Sequence, residues 1–382
     1  VPGQAHLGDE ELALLGTLTG FALSRFIDIL GAGTDKREHP MPGTKTRSQS
    51  TRQDAIYNTI TNRMIAQLRE GTVPWRKKWS AAGGAVAWPV NIKSKKPYRG
   101  VNPIVLATEP FTSPWWGSYN QWAEACGAVK TADDSRRGWY WANPDGTRWA
   151  GLAGQHGTAI IFWKQIYVDT DEISPRTGRP IKKRIPMLNS YVVFNYEQVT
   201  GAPGRFAPTE APGAPTRVQQ MLRALEIHKA YIERAGLNFT EHGDRAYYDL
   251  HNGIHVPPLA AYAAESETEA EAEYWSTVFH EDTHSTGHPS RLNRPGIEHF
   301  DHFGSERYSK EELAAEMGAA MLMATAGIET PATFANSAAY LANWLAKLES
   351  EPKWVIQAAA QAQRAVDHIL GVSWGEDPGE ED

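Results

Sequence analysis

The stretch that most constrains this chain is His280-Glu281-Asp282-Thr283-His284, set between Trp275 and Arg294. An α-helix places residues i and i+4 on one face, one turn apart. His280 and His284 therefore offer two imidazoles to a single metal ion, and imidazole is a common ligand for divalent transition metals. Glu281 follows His280 by about a quarter turn, where a carboxylate reaches a water held at the same ion. The pentapeptide also arises by chance in soluble proteins, so its surroundings decide what it means.

Those surroundings favour a metal site. Residues 265–273 are acidic and alanine-rich and lead into Tyr274-Trp275-Ser276-Thr277-Val278-Phe279, the pattern of a helix that becomes buried as it reaches the histidines. Gly287, Pro289 and Pro295 predict that this helix stops soon after His284. A second helix is predicted over 309–325, with Leu313, Met317, Met321 and Ala324 as an apolar stripe of helical period. Glu312 and Glu316 flank that stripe and Glu311 falls on its other side. Carboxylates beside a buried stripe need a cation or a hydrogen-bonding partner. Catalytic Zn2+ takes three protein ligands plus water. Glu312 is therefore expected as the third ligand, with Glu311 and Glu316 as alternatives, and Glu316 is expected to orient a ligand histidine. Glu281 is the expected general base. Tyr308, one turn before Glu312, is the expected stabiliser of a developing oxyanion. The competing reading is a closed structural site with a fourth protein ligand, His288 or His302.

The string from His280 to Arg294, His-Glu-Asp-Thr-His-Ser-Thr-Gly-His-Pro-Ser-Arg-Leu-Asn-Arg, and then Phe303-Gly-Ser-Glu-Arg-Tyr-Ser-Lys-Glu-Glu-Leu-Ala-Ala-Glu316 resemble the C-terminal metallopeptidase domain of the ArdC antirestriction family. The same domain type recurs in polyvalent proteins of mobile elements. The resemblance implies a zincin-like metallopeptidase fold. One position departs from it. The family usually has an apolar residue after the motif glutamate, and here Asp282 stands there, so how the helix packs at that point is an open question.

Charge divides the chain. Residues 41–205 hold 23 Lys and Arg against 11 Asp and Glu, whereas 206–382 hold 12 against 28. A basic half joined to an acidic half points to a polyanion-binding module beside one with another task. The single cysteine, Cys126, excludes an internal disulfide framework and a cysteine-based zinc site, which suits a reducing cytoplasm. No run of 18 apolar residues occurs, so no membrane association is expected. The apolar patch Leu12–Leu30 follows Asp9, Glu10 and Glu11 and is interrupted by Arg25 and Asp28, unlike a signal peptide.

The basic half carries 10 of the 14 tryptophans. Trp75-Arg76-Lys77-Lys78-Trp79 interleaves two aromatic faces with three cations. Lys93, Lys95 and Lys96 precede Tyr98, Arg99 and Asn102, and Lys182-Lys183-Arg184 precedes the apolar run 189–195. A cationic groove with aromatic faces is how single-stranded nucleic acid is held. These residues are the expected DNA contacts, with single-stranded DNA as the partner and duplex DNA as its alternative. Pro74-Trp75 with Trp79, the run Lys96-Pro-Tyr-Arg-Gly-Val-Asn102, and Val193-Phe-Asn195 with Glu197-Gln198 also resemble the single-stranded-DNA-binding domain of ArdC proteins.

The expected organisation is α+β: an extension and linker over 1–50, a mixed α+β DNA-binding domain over 51–200, a Pro/Gly linker over 201–216, a zincin-like metallopeptidase domain over 217–372, and an acidic tail over 373–382. Met41 begins the ArdC-like part, and residues 1–40 are expected to lie outside the core. Strands are predicted at 158–164 and 189–195, with 169–179 as a hairpin loop. Ile254–Pro257 is expected to form an edge strand over the metal, where an extended peptide can pair. The function these features imply is an antirestriction-type protein that binds single-stranded DNA and carries a zinc metallopeptidase acting on an unidentified protein or peptide. The alternatives are a DNA-occluding protein with structural zinc, and a protease acting on proteins crosslinked to DNA.

Overall fold

Helical and strand periods alternate along the chain, and a computed structural model shows how they assemble. It describes residues 45–74, 88–133, 138–173, 175–207, 215–262, 264–298, 306–328 and 338–373. The expected N-terminal extension to residue 44, the Trp75–Trp79 cluster, His302 and the acidic tail from 374 lie outside the described residues.

The first helix, α1 (Lys45–Arg69), turns Ile56, Ile60, Met64 and Leu68 into the core. It is followed by Gly71 at φ 76°, a left-handed conformation that glycine adopts without the Cβ penalty. Next come β1 (Val90–Asn91), α2 (Val101–Ala107), β2 (Trp115–Ser118), α3 (Tyr119–Ala125), β3 (Val129–Asp133), β4 (Gly138–Ala142), β5 (Thr158–Ile173) and β6 (Pro180–Asn195). A sheet of order β1-β2-β6-β5 forms their centre, and β3 pairs with β4 as a separate ribbon. Strands β5 and β6 are far longer than the sequence suggests. Residues 169–173 of the expected 169–179 loop are strand, and the chain reverses near Gly178, at φ 65°. Thr170 contributes by donating its hydroxyl to the Ile181 carbonyl across the ribbon at 2.7 Å.

The second half opens with α4 (Arg217–Ala235). Thr216 and Gln219 form a reciprocal capping box at its start, and Gly236 closes it at φ 64°. Strands β7 (Asn238–Glu241), β8 (Tyr247–Tyr248) and β9 (Gly253–Val256) form a sheet of order β7-β9-β8. This corrects one expectation. β9 is parallel to β7 on one side and antiparallel to β8 on the other, so it is the middle strand and β8 is an edge. Ile254 and Val256 are wholly buried, and this apolar alternation suits an interior strand.

Helices α5 (Glu267–Ser285), α6 (Pro295–Glu298), α7 (Glu306–Ala326), α8 (Ala338–Ser350) and α9 (Trp354–Leu370) complete the chain. The break between α8 and α9 falls at Pro352, as its missing N–H requires. Residues 313–324 of α7 are buried on every face of the helix, not along one stripe. The two halves share a core: Ile60 and Met64 of α1 belong to the same apolar cluster as Leu348 and Trp354. Thr61 donates its hydroxyl to the Pro352 carbonyl, and Arg69 pairs with Glu349 at 2.6 Å. From Thr51 onward the chain is one compact unit. A fragment ending near residue 200 would expose the apolar face of α1, so DNA binding is best measured on the whole chain.

Helices α5 and α7 approach closely at Gly318, where an added Cβ would lie 2.6 Å from the Thr283 methyl. Helix propensity alone would make Gly318→Ala stabilising by about 1 kcal/mol. The clash outweighs it, because overpacking costs about 1–3 kcal/mol and Thr283 sits on a buried, rotamer-restricted face. A lower melting temperature for Gly318→Ala is the expected result, read by circular dichroism. A rise would show that the helices can move apart freely.

Candidate metal centre

One turn of α5 separates His280 from His284, and both rings point toward α7. Their Nε2 atoms lie 3.0 Å apart. Glu312 of α7 brings one carboxylate oxygen to 3.3 Å from the His284 Nε2 and the other to 3.6 Å from the His280 Nε2. Three donors bound at about 2.0–2.1 Å to a tetrahedral ion stand roughly 3.3 Å from one another, so the spacing fits a single ion. These three residues are the only cluster of metal-ligating side chains among the described residues. His288, the candidate closing ligand, instead bonds through Nδ1 with the Ser290 hydroxyl at 2.7 Å. No described residue supplies a fourth ligand, and an open position suits a catalytic rather than a structural site.

Electrostatics favour a cation there. Glu281, Glu311, Glu312 and Glu316 surround the two imidazoles, with Arg294 as the buried counter-charge. Burial opposes charging of His284, yet Glu312 and Glu311 outweigh it and hold its pKa well above the usual range. Burial likewise works against ionised Glu312, and the two histidines overcome it and hold that carboxyl well below the usual carboxylate range. A divalent ion among these donors would supply the positive charge that the surrounding carboxylates favour.

Glu281 is buried beside the ligands. Burial pushes its carboxyl up, while His280 and His284 pull it partly back, and the Tyr248 backbone N–H donates to it. A carboxylate shifted toward neutrality in a desolvated site is suited to accept a proton at pH 7. Tyr248 belongs to the edge strand β8, which packs against the motif helix alongside β9.

Sequence reasoning missed the residues that hold the ligands in place. Glu311, read as lying on the wrong side of the stripe, is buried and accepts from His284 Nδ1 at 3.2 Å. Because α7 is enclosed all round, a position off the stripe is still interior. Arg294 grips Glu311 with Nε and Nη2 at 2.9 and 2.6 Å and donates Nη2 to the Thr283 carbonyl at 2.7 Å. It joins the loop after the motif to both site helices. Glu316, expected to orient a histidine, stands 3.8 Å from His280 Nδ1. Tyr308 lies in α7, with its side chain outside the described residues.

Asp282 is wholly buried, and His228 of α4 places Nδ1 3.1 and 3.0 Å from its two oxygens. The His228 ring lies edge-on to Phe239 and Trp275. The charge that departs from the family pattern thus meets a partner from another helix, which answers the packing question the sequence raised.

The expected DNA contacts separate into two groups. Tyr98 is buried and its hydroxyl accepts from Asn91. Arg99 pairs with Asp367 of α9. Asn102 exchanges two hydrogen bonds with the Ile161 backbone. These three side chains hold the fold together and do not present a binding surface. Lys93, Lys95 and Lys96 are exposed. Lys93 pairs with Glu124 at 3.3 Å, and Lys95 lies over the rings of Trp115 and Phe206 at 4.8 and 4.2 Å. Lys182, Lys183 and Arg184 are exposed on β6.

Comparison with known proteins places both halves. Residues 226–361 match a zincin-like metallopeptidase model, and residues 54–194 match the N-terminal domain of anti-restriction factor ArdC. The chain is 31% identical over 330 residues to an Escherichia coli protein named DNA primase TraC, covering 82% of this chain but 27% of that protein. It therefore spans about a quarter of that relative's length. It is 29% identical over 332 residues to the uncharacterized protein y4eC of Sinorhizobium fredii, covering 85% of this chain and 94% of that one. Crystal structures of the antirestriction ArdC protein from the R388 plasmid are similar at TM-scores of 0.55 for the metal-free form and 0.56 for the Mn(II)-bound form. They are 29% and 28% identical to this chain and cover 82% of it, and 96% and 97% of their own lengths.

Proposed function

Because this chain belongs to the ArdC-type antirestriction family, with a zincin-like domain at its C-terminal end, we propose that it is a zinc-dependent peptidase that acts beside bound single-stranded DNA. The observation that carries the reading is the convergence of His280, His284 and Glu312 on one point with no fourth described ligand. His280, His284 and Glu312 would hold the metal. When bound, zinc polarises a carbonyl and lowers the pKa of its water to about 7. Glu281 takes the proton of the attacking water and returns it to the leaving amine. The edge of β8 offers backbone groups to an extended peptide beside Glu281. Glu311 and Arg294 keep His284 Nε2 turned toward the ion. Single-stranded DNA is read against the exposed cations Lys93, Lys95 and Lys96 and the partly exposed ring of Trp115 beneath Lys95. The biological role this supports is protection of incoming DNA from restriction.

Glu281→Gln tests the catalytic part. The variant is expected to keep its metal and its single-stranded-DNA affinity while cleavage of casein or of the chain itself falls by at least about a hundredfold, the scale of general-base catalysis. Cleavage equal to that of the unaltered chain would remove Glu281 from the mechanism and favour a site that only binds.

A further inference from the structure

The longest strands of the molecule, β5 and β6, serve the sheet only at their base. β2 pairs with β6 through Val193, Phe194 and Asn195 and goes no further. Beyond Trp163 and Leu188 the two strands continue as an isolated ribbon, in register from Lys164↔Met187 to Asp169↔Lys182 and closing near Gly178. Ten further residues on β5 give an arm of roughly 30 Å. Apolar side chains stand open to water along it: Tyr167 is 65% exposed, Ile173 56% and Ile185 38%. A two-stranded ribbon without a covered face is marginally stable in water, and a long exposed edge invites pairing with other chains. Pro180 and Pro186 block that pairing on β6. The β6 edge is thus guarded against other strands, and the arm keeps its exposed surface.

Charge indicates what covers it. Between Lys164 and Pro186 lie Lys164, Arg176, Arg179, Lys182, Lys183 and Arg184 against Asp169, Asp171 and Glu172. Alternation puts Lys182 and Arg184 on one face and Lys183 on the other, where the register also places Lys164. A flat partner would meet only one of these faces. A groove bounded by two phosphate backbones flanks a ribbon on both sides. The major groove of B-DNA, about 12 Å wide, admits a two-stranded ribbon without the widening that the minor groove, about 6 Å wide, would need. Lys182 also stands about 35 Å along β6 from the residues paired with β2, too far to belong to the surface around Lys95. We propose that the β5–β6 arm is a duplex-DNA-binding element that lies in the major groove, distinct from the single-strand surface at the base of the sheet.

The test uses the full chain and two fluorescent probes, a 20-base-pair duplex and a 20-nucleotide oligo-dT, titrated by anisotropy at several salt concentrations. In Lys182→Ala/Lys183→Ala/Arg184→Ala, duplex affinity at low salt is expected to fall at least about tenfold. The slope of log K against log salt is expected to shrink by about 2–3, since each phosphate no longer neutralised removes about 0.9. Oligo-dT binding is expected to be unchanged. Lys182→Arg/Lys183→Arg should keep duplex affinity, which separates missing charge from a disturbed arm. Unaltered duplex binding in the triple alanine variant would overturn the proposal. So would an equal fall on both probes, since the arm would then be a general polyanion surface. Failure of the unaltered chain to bind oligo-dT would sink the single-strand reading and leave the duplex measurement standing.

Discussion

Alanine at His280 or at His284 is expected to abolish metal binding by the full chain. Each histidine supplies one donor: their Nε2 atoms lie 3.0 Å apart, and Glu312 brings one oxygen to 3.3 Å from His284 and the other to 3.6 Å from His280. Losing an outer partner of a metal ligand costs about 10–100-fold in affinity, and losing the ligand itself costs more. Glu312→Ala is expected to weaken binding less completely, because Glu316 lies one turn further along α7, within 3.8 Å of His280. Glu311 is a poor substitute, since Arg294 holds both of its oxygens. Metal per chain, measured by atomic emission after dialysis, reads all three variants, and circular dichroism confirms that they are folded. Full occupancy in His280→Ala would exclude His280 from the ligand set. Full occupancy in Glu312→Ala would move the third ligand to Glu316.

The second large effect is on stability, at the buried pair of Arg294 and Glu311. Removing one partner of such a pair leaves an uncompensated charge in the interior and costs about 3–5 kcal/mol. Arg294→Met is expected to lower the melting temperature by roughly 10 °C, taking about 2–4 °C per kcal/mol for a large domain. Arg294→Met/Glu311→Gln should recover part of that loss, because the stranded carboxylate is gone. A single variant as stable as the unaltered chain would show that water reaches Glu311 when Arg294 is absent. The same pair sets an acid limit. Burial works against ionised Glu311, but Arg294 and His284 outweigh it and hold its pKa at about 2. A carboxyl whose folded pKa lies below its unfolded value adds stability that is fully present above the unfolded pKa, near 4.5. That stability drains away as pH falls from about 4.5 toward 2. In thermal melts of metal-free protein, Glu311→Gln should flatten this acid limb.

Periodicity was enough to locate most elements. The run from Arg217 to Ala235 was legible as a helix from the period of Leu222, Leu225 and Ile232, and the structure adds the Thr216 cap and the Gly236 stop. The four-residue spacing of His280 and His284, and the offset of Glu312 from a buried stripe, pointed to side chains that the fold brings within reach of one another, with Glu311 and Glu316 left as alternatives to Glu312. These are local facts, carried by residues within a turn or two of each other.

What the sequence did not carry depends on partners distant in the chain. Arg99 reads as a cation for DNA until α9 brings Asp367 beside it, 268 residues away. Asp282 reads as a misplaced charge until α4 supplies His228. The Ile254–Pro257 run reads as an edge until β7 and β8 flank it. Glu311 reads as lying off the buried stripe, and as only an alternative ligand, because a stripe defines one buried face, whereas residues 313–324 of α7 are enclosed on every side. The length of the β5–β6 arm was hidden because its polar residues lack the apolar alternation of a half-buried strand. The sequence alone determined which helices form, where they stop and which donors share a turn, since backbone propensity and side-chain period act over a few residues. Only the tertiary structure decided which charges are neutralised and which faces stay open, because those energies depend on groups the chain brings together after folding.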